Sequence, residues 1–342
     1  MPRSSTVLLM QKFGLQRAKP ESLTIRRQRS GRGFVYMRGD ETRIRDGRLL
    51  RRLASLAVPP AYENVMFTEI PNAHLQAVGR DSAGRVQYRY HPDWEKVRET
   101  RKAERLLRLV TVLPKIRRAM AARLSGPPTR EFALAALVDL VGTSGIRAGS
   151  AAYARLHGTR GAATLLKSDI HVKNGYVILA FQAKGGQKVE KQIHSPRLAG
   201  ALKILRRLPG RYLFQYRDEA GAIRKLRRRD ANAFLRKVAG VRIALKDFRT
   251  LIACGLALET LAKAKRDTSE RKRRRQVGDA LLEVAGELIN TPTVCRKSYV
   301  HKAVVLAFEN GALEKLARKN GHRSGLARRE AMLAQLLGRM AA

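Results

Sequence analysis

A tyrosine hydroxyl set among cations is the group in this sequence best placed to do chemistry. The segment Asn290-Thr-Pro-Thr-Val-Cys-Arg-Lys-Ser-Tyr299 puts Tyr299 just after the basic pair Arg296 and Lys297, behind a stretch flanked upstream by Arg271-Lys-Arg-Arg-Arg275. A phenol beside that much positive charge is poised to meet a phosphate, either touching it or attacking it. Attack on a phosphodiester also requires charge stabilisation on the non-bridging oxygens and an acid for the leaving alkoxide. Many nucleases recruit Mg²⁺ through paired carboxylates. This chain is poor in acids and shows no DxD cluster, no HExxH and no His/Cys ligand spacing. A metal-free route needs arginine clamps and a lysine instead. Arg147 lies in Gly142-Thr-Ser-Gly-Ile-Arg-Ala-Gly-Ser150, where small residues let a phosphate approach closely. Arg249 lies in Lys246-Asp-Phe-Arg-Thr250, at an expected helix start whose unpaired N–H groups favour anions. Lys184 sits on a glycine-supported turn, within reach of a leaving oxygen. Each has a plainer reading as well. Among 70 basic residues, a single Arg or Lys is most often a solvated face or an ordinary phosphate contact. A single Tyr is more often a core or interface residue, so spacing alone favours the plainer reading over the catalytic one.

Composition narrows the partners. Seventy Lys plus Arg against 28 Asp plus Glu give a formal charge of +42. That excess repels itself in a compact chain unless a polyanion relieves it. It is spread from Arg26 to Arg339, which favours an extended nucleic-acid contact surface. No apolar run approaches the roughly 18 residues of a membrane span, so no membrane partner is expected. A hydrophobic content of 44% over 342 residues is that of a globular chain with a core, long enough for two domains. Cys254 and Cys295 form no CxxC pattern, so neither a disulfide framework nor a zinc site is expected, and a reduced cytoplasm is the natural compartment.

The elements that must carry these residues can be read in outline. Residues 1–32 read as a flexible basic lead-in and 33–92 as a β-rich N-terminal domain. In the latter, 34–36, 65–70, 74–79 and 85–90 are the strand candidates, the last two joined by a turn at Asp81 and Gly84. After His91-Pro92 the pattern becomes helical, over 94–110, 113–124 and 130–141, which starts a catalytic domain at 93–342. A three-stranded interruption runs through 165–194, with an Asn174-Gly175 turn and Lys184 at the second turn. Helices are expected again at 197–208, 229–238, 248–264 and 276–289, with more after Lys302. The fold class is therefore α+β.

Taken in order, several motifs resemble the type IB DNA topoisomerases, in particular the small bacterial members related to the poxvirus enzyme. They are Ile146-Arg-Ala-Gly149, the turn lysine Lys184, Lys246-Asp-Phe-Arg-Thr250 and Asn290-Thr-Pro-x-Val-Cys-Arg-Lys-Ser-Tyr299. Val58-Pro-Pro-Ala-Tyr62 and His74-Leu-Gln-Ala-Val-Gly-Arg-Asp-x-x-Gly-Arg-Val-Gln-Tyr-Arg-Tyr-His-Pro92 resemble the N-terminal signature of that family. The likeness spans roughly 33–305, and ordered motifs together are far more specific than any one alone. It implies the tyrosine recombinase/topoisomerase IB catalytic fold in the larger domain. It also implies Tyr299 as a nucleophile forming a 3′-phosphotyrosyl link, Arg147 and Arg249 as transition-state clamps, and Lys184 as general acid. Asn290 falls where the poxvirus enzyme has histidine; its amide can donate a hydrogen bond to phosphate but carries no titrating proton. Such an enzyme relaxes supercoiled duplex DNA by strand rotation and religation, needing neither ATP, a cofactor nor a metal. Two positions depart from the family pattern: Arg160 stands where Tyr is usual, and Lys302 where Pro is common.

Further DNA contacts are expected from the same likeness and from position. Tyr153 resembles a DNA-contacting tyrosine, with a packed helix residue the equal alternative. Gln87, Tyr88 and Tyr90 lie on an alternating strand, one face of which can enter a major groove. Lys246, Arg296 and Lys297 complete the expected contact set, and Cys295 reads as a small packing residue. The expected architecture is a two-domain clamp on double-stranded DNA, a nucleoid-associated monomer with no obligatory protein partner. Two alternatives are a tyrosine site-specific recombinase and a non-catalytic nucleoid-type DNA-binding protein. The first is disfavoured by Lys246-x-x-Arg249 in place of the recombinases' His-x-x-Arg.

Overall fold

The computed structural model describes residues 6–341. The chain divides into two compact units, the first ending at Arg101 and the second opening at Lys102. The first unit holds α1 (Thr6–Lys12), β1 (Ile25–Ser30), β2 (Gly33–Met37), α2 (Gly47–Ser55), β3 (Glu63–Phe67), β4 (Leu75–Arg80) and β5 (Val86–Tyr90). Its strands form one antiparallel sheet in the order β2-β1-β3-β4-β5. Val65 and Phe67, two apart on β3, share a face, and they bury with Ile25, Ala77, Ile44 and Leu53 of α2. Asp46 caps α2, its carboxylate accepting from the Arg48 N–H at 2.8 Å. The β4–β5 turn forms as its Asp and Gly suggest: Asp81 Oδ1 accepts from Ala83 and Arg85 N–H at 3.0 and 2.9 Å, and Gly84 takes φ +70°.

The lead-in expected over 1–32 is structured from Thr6 onward. β1 sits between β2 and β3, and Leu9, Met10 and Leu15 bury against Val97. The run Ile25-Arg-Arg-Gln-Arg-Ser30 hides its strand character because only Ile25 is buried, while Arg26 and Arg29 are exposed and Arg27 is half-buried. Residues 1–5 of that stretch lie outside the described residues. The two helices expected at 94–110 and 113–124 are one, α3 (Trp94–Leu124), which runs through Pro114. An interior proline costs a helix about 3 kcal/mol. Leu106, Leu109, Leu113, Ile116 and Met120, all buried along one stripe, contribute roughly 1.5–3 kcal/mol each and outweigh it. The divide between the units, expected near residue 92, falls inside this helix.

The second unit continues with α4 (Arg130–Ser144), α5 (Ala151–His157), β6 (Ile170–Lys173), β7 (Tyr176–Gln182), β8 (Lys188–His194) and α6 (Pro196–Arg207). A short hairpin follows, β9 (Gln215–Arg217) with β10 (Ile223–Lys225), then α7 (Arg228–Ala239), α8 (Leu245–Lys263), α9 (Glu270–Leu288) and α10 (Pro292–Ser298). The chain closes with α11 (Lys302–Glu309), α12 (Ala312–Lys319) and α13 (Gly325–Ala341). The fold is thus α+β: an N-terminal unit built on an antiparallel sheet, and a mainly helical unit that carries a small three-stranded sheet. In that sheet β7 lies centrally, antiparallel to both neighbours. Asn174 and Gly175, at φ +49° and +77°, make the two-residue loop that pairs Lys173 with Tyr176. α4 is buried on nearly every side and α8 over most of its length, so these two helices are fixed scaffolding for whatever they carry. Among the described residues no helix is long and apolar enough to cross a membrane.

Candidate active site

The ends of α4 and α9 and the first turns of α8 bring the tyrosine and both arginines together. α4 stops at Gly145, whose φ of +65° is open to glycine, and whose Cβ, if present, would lie 3.2 Å from both Ile252 and Leu288. The turn buries Ile146 and sends Arg147 into the segment that follows. That segment is clipped to the chain at 161–163: Ala162 N–H donates to Arg147 C=O at 2.8 Å, and Ala163 N–H to Ala148 C=O at 3.0 Å. Contact is close enough that a Cβ on Gly161 would stand 2.4 Å from the Arg147 carbonyl and 2.6 Å from the Gly149 nitrogen.

Arg249 is only 3% exposed. Its guanidinium donates to the carbonyls of Gly145 and, at 3.0 Å, Leu288, while Nε donates to the Tyr299 hydroxyl at 3.3 Å. The orphan carbonyls left by α4 and α9 thus hold the arginine in a fixed fork. The anion site expected at the start of α8 is not open. α8 begins at Leu245, and the Ala244 N–H donates to Asp247 Oδ2 at 2.8 Å, so Arg249 acts through its side chain from beyond the first turn. At the end of α9, Ile289 turns the chain with φ +51°, and Thr291 caps α10, at whose C-terminal end Tyr299 sits, 8% exposed. Arg147 Nη2 donates to Asn290 Oδ1 at 2.5 Å, and Nη1 to Ile289 C=O at 3.4 Å. With its oxygen occupied by Arg147, the Asn290 amide nitrogen is buried without a partner among the described residues.

Burial by itself pushes the Tyr299 phenol up. The charge of Arg249 and its hydrogen bond, with Arg147 and Lys246, outweigh it and bring the phenol below its ordinary value. Arg147 is itself lowered, first by burial and then by Arg249. Two guanidiniums, a depressed phenol and an unpartnered amide N–H are together suited to bind a tetrahedral anion and stabilise charge that develops on it.

Lys184 lies on the β7–β8 turn, exposed, with Nζ 5.2 Å from the centroid of the Tyr153 ring. Tyr153, on α5, is 37% exposed and its ring lies 4.4 Å from that of His157. Lys184 and Tyr153 therefore form a pair on the surface, outside the cluster of Arg147, Arg249 and Tyr299. Lys246 is exposed on α8, and Arg296 and Lys297 are exposed on α10. In the first unit, Tyr88 and Tyr90 are exposed on edge strand β5, their ring centroids 6.1 Å apart. Gln87 takes the other face and donates to Asp81 at 2.9 Å, so it does not share the tyrosines' surface. Arg160 pairs with Asp169 at 2.7 Å, and its backbone N–H donates to Gln182 at 2.7 Å, tying the 147–161 segment to the sheet. Lys302 opens α11, and the first position of a helix is one where proline is tolerated.

Sequence reasoning missed Lys191, Glu287 and Gly161. Lys191 Nζ donates to the Ser144 carbonyl at 2.7 Å and to Glu287 at 2.6 Å, pinning the end of α4. No local motif announces a strand lysine whose partners lie 47 and 96 residues away. Gly161 stood in view in the string His157-Gly-Thr-Arg160-Gly-Ala-Ala-Thr-Leu165, but its demand for close backbone approach is visible only in three dimensions.

Comparison with known proteins agrees with this geometry. Residues 33–81 match the bacterial DNA topoisomerase IB N-terminal domain, and residues 91–322 match the eukaryotic DNA topoisomerase I catalytic core. The chain is also similar to DNA topoisomerase 1B of Acanthamoeba polyphaga mimivirus, with 29% identity over 304 residues, covering 86% of this chain and 90% of the viral one. Buried Arg249 with the phenol it holds, half-buried Arg147 and these matches give one conclusion: this chain belongs to the type IB DNA topoisomerases.

Proposed function

We propose that this topoisomerase relaxes supercoiled duplex DNA by transient single-strand cleavage through a 3′-phosphotyrosyl intermediate. The observation that carries the reading is the Tyr299 hydroxyl, 3.3 Å from the Nε of an enclosed, carbonyl-anchored Arg249. The phenol oxygen gives up its proton to water and attacks the scissile phosphorus, the P–O5′ bond breaks, and the 5′-oxygen takes a proton to become a hydroxyl. Arg147, Arg249 and the free N–H of Asn290 receive the non-bridging oxygens as charge builds on them. Lys184 delivers the leaving-group proton from its exposed turn. For that step it must leave the ring of Tyr153 as DNA engages α5. Religation is the same chemistry reversed. The phosphodiester energy is kept in the covalent link, so the cycle needs no ATP, and the arginines supply the electrostatic role that a metal fills elsewhere. Tyr153, Lys246, Arg296 and Lys297 contact the duplex backbone, with Tyr88 and Tyr90 reading a groove from the first unit and Gln87 supporting the β4–β5 turn. The protein acts as a monomer on nucleoid DNA.

Plasmid relaxation in EDTA without ATP tests this. Wild type is expected to relax the plasmid and Tyr299→Phe to be inert; an inactive wild type or an active Tyr299→Phe overturns it. Denaturing electrophoresis after reaction with a suicide duplex separates this reading from a non-catalytic DNA binder, which leaves no covalent adduct.

A further inference from the structure

Tyr299 is gripped at two ends, and only one of the grips belongs to the arginines. Its hydroxyl is held by Arg249. Its backbone carbonyl accepts from the thiol of Cys254 at 3.4 Å, and the same sulfur accepts from the His301 N–H at 3.3 Å. Cys254 is fully buried, as are Val300 and His301, so these backbone groups cannot turn to water instead. Arg249 and Cys254 both lie on α8, within a stretch of that helix that is buried almost without interruption. One rigid helix therefore fixes the phenol oxygen through its arginine and the tyrosine backbone through its cysteine. Tyr299 has left helical geometry, with φ −120° and ψ −57°, and α10 ends at the residue before it. The Tyr299 and Val300 N–H groups both return to the Cys295 carbonyl, at 3.0 and 2.9 Å, which leaves the Tyr299 carbonyl facing α8.

We propose that Cys254 is a positioning residue for the cleavage reaction. Its thiol bridges the Tyr299 carbonyl and the His301 N–H and so sets where the tyrosine side chain starts its reach to phosphorus. The inference rests on the reading of Tyr299 as nucleophile. A cysteine in a helical core is ordinarily a small apolar filler; this one is placed instead as a donor and acceptor between two backbone groups of the segment that carries the attacking oxygen. In-line attack is sensitive to displacements of about 1 Å, which cost up to roughly 100-fold in rate.

The test is single-turnover adduct formation by the full chain on a suicide duplex, with Cys254→Ala, Cys254→Val and Cys254→Ser beside wild type. Cys254→Val keeps the site filled while removing both hydrogen bonds, and carries the test if Cys254→Ala does not fold. Both apolar variants are expected to slow adduct formation at saturating DNA by about 10–100-fold, with DNA affinity unchanged. They should also raise the ionisation midpoint of Tyr299, read by ultraviolet difference titration against Tyr299→Phe, because a displaced phenol loses its contact with Arg249. Cys254→Ser, which retains a donor and an acceptor, should recover most of both. A Cys254→Val protein with wild-type rate and titration overturns the proposal, as does a Cys254→Ser protein no better than Cys254→Val. If wild type forms no adduct, the nucleophile reading fails first, and the titration still reports whether Cys254 places the phenol.

Discussion

At Tyr299 two opposed effects meet, and which one wins sets the behaviour of the proposed nucleophile. Enclosure favours the neutral phenol, whereas Arg249, Arg147 and Lys246 favour phenolate strongly enough to bring it below its ordinary value. Arg249→Gln removes the nearest charge while keeping a planar amide, so the Tyr299 midpoint should rise to or above the ordinary value of about 10. A difference titration against Tyr299→Phe measures this, and an unmoved midpoint would refute the assignment of the shift. The sign for stability follows from linkage. A phenol more acidic folded than unfolded contributes nothing at neutral pH and stabilises progressively as pH climbs through its folded value. Denaturant melts of wild type and Tyr299→Phe should therefore converge at neutral pH, apart from any packing difference, and separate in favour of wild type at alkaline pH. Asn290 makes a complementary case. Its oxygen is committed to Arg147 and its amide nitrogen to nothing among the described residues. Asn290→Ala, which deletes one donor to the developing charge, should slow adduct formation by roughly 10²–10³-fold. Asn290→Asp should be worse, since its carboxylate pairs with Arg147 and repels phosphate. An Asn290→Ala enzyme with the wild-type rate would mean that the amide N–H plays no part in charge stabilisation.

Helix and strand ends, rather than their middles, build this site, and that explains what was legible in the chain. The Asn174-Gly175 and Asp81–Gly84 turns are local chemistry, so both hairpins follow from a few residues. β1 does not: its core contact is Ile25 alone, and three arginines mask the period that ordinarily marks a strand. The two helices expected at 94–110 and 113–124 run together as α3, because the penalty for Pro114 is local while the burial that overrides it is tertiary. Likewise Arg147, Arg249, Asn290 and Tyr299 could be named from ordered motifs, but the Gly145 and Leu288 carbonyls that aim Arg249 belong to the ends of two other helices. Gly161 shows most plainly what the chain alone withholds. Its backbone passes so near that of Arg147 and Gly149 that Gly161→Ala must drive the two strands of chain apart. Since the obstructing atoms are backbone, no rotamer change relieves the clash. Adduct formation should fall by at least about 100-fold, as for an active-site displacement of about 1 Å. The thermal midpoint should fall too, by the few degrees that roughly 1–3 kcal/mol of overpacking produces in a protein of this size. A Gly161→Ala enzyme with wild-type adduct kinetics would show that the 161–163 clip does not position Arg147.

Across the whole molecule the governing quantity is charge. The 28 acidic residues are widely used in ion pairs, such as Arg160–Asp169, Lys191–Glu287 and Arg329–Glu259, and they leave a formal excess of +42. That excess destabilises the folded state through self-repulsion and favours the duplex through counterion release. Salt acts on both, in opposite directions. In the free protein, shortening the Debye length from about 30 Å at 0.01 M to about 10 Å at 0.1 M screens repulsion between distant cations. The melting midpoint should therefore rise with monovalent salt. In the DNA complex, the same salt weakens binding with a log–log slope of roughly −0.9 per phosphate neutralised. Stabilisation by bound duplex, about 2.7 kcal/mol at a hundredfold excess over Kd, should accordingly shrink as salt is added. Melting curves of the free and DNA-bound protein are thus expected to approach each other with rising ionic strength, from a wide gap at low salt. Using Tyr299→Phe keeps covalent chemistry out of the measurement. A free-protein midpoint indifferent to salt would mean that the excess charge is not a source of strain in the fold, and a DNA increment indifferent to salt would mean that the duplex is not held through its phosphates.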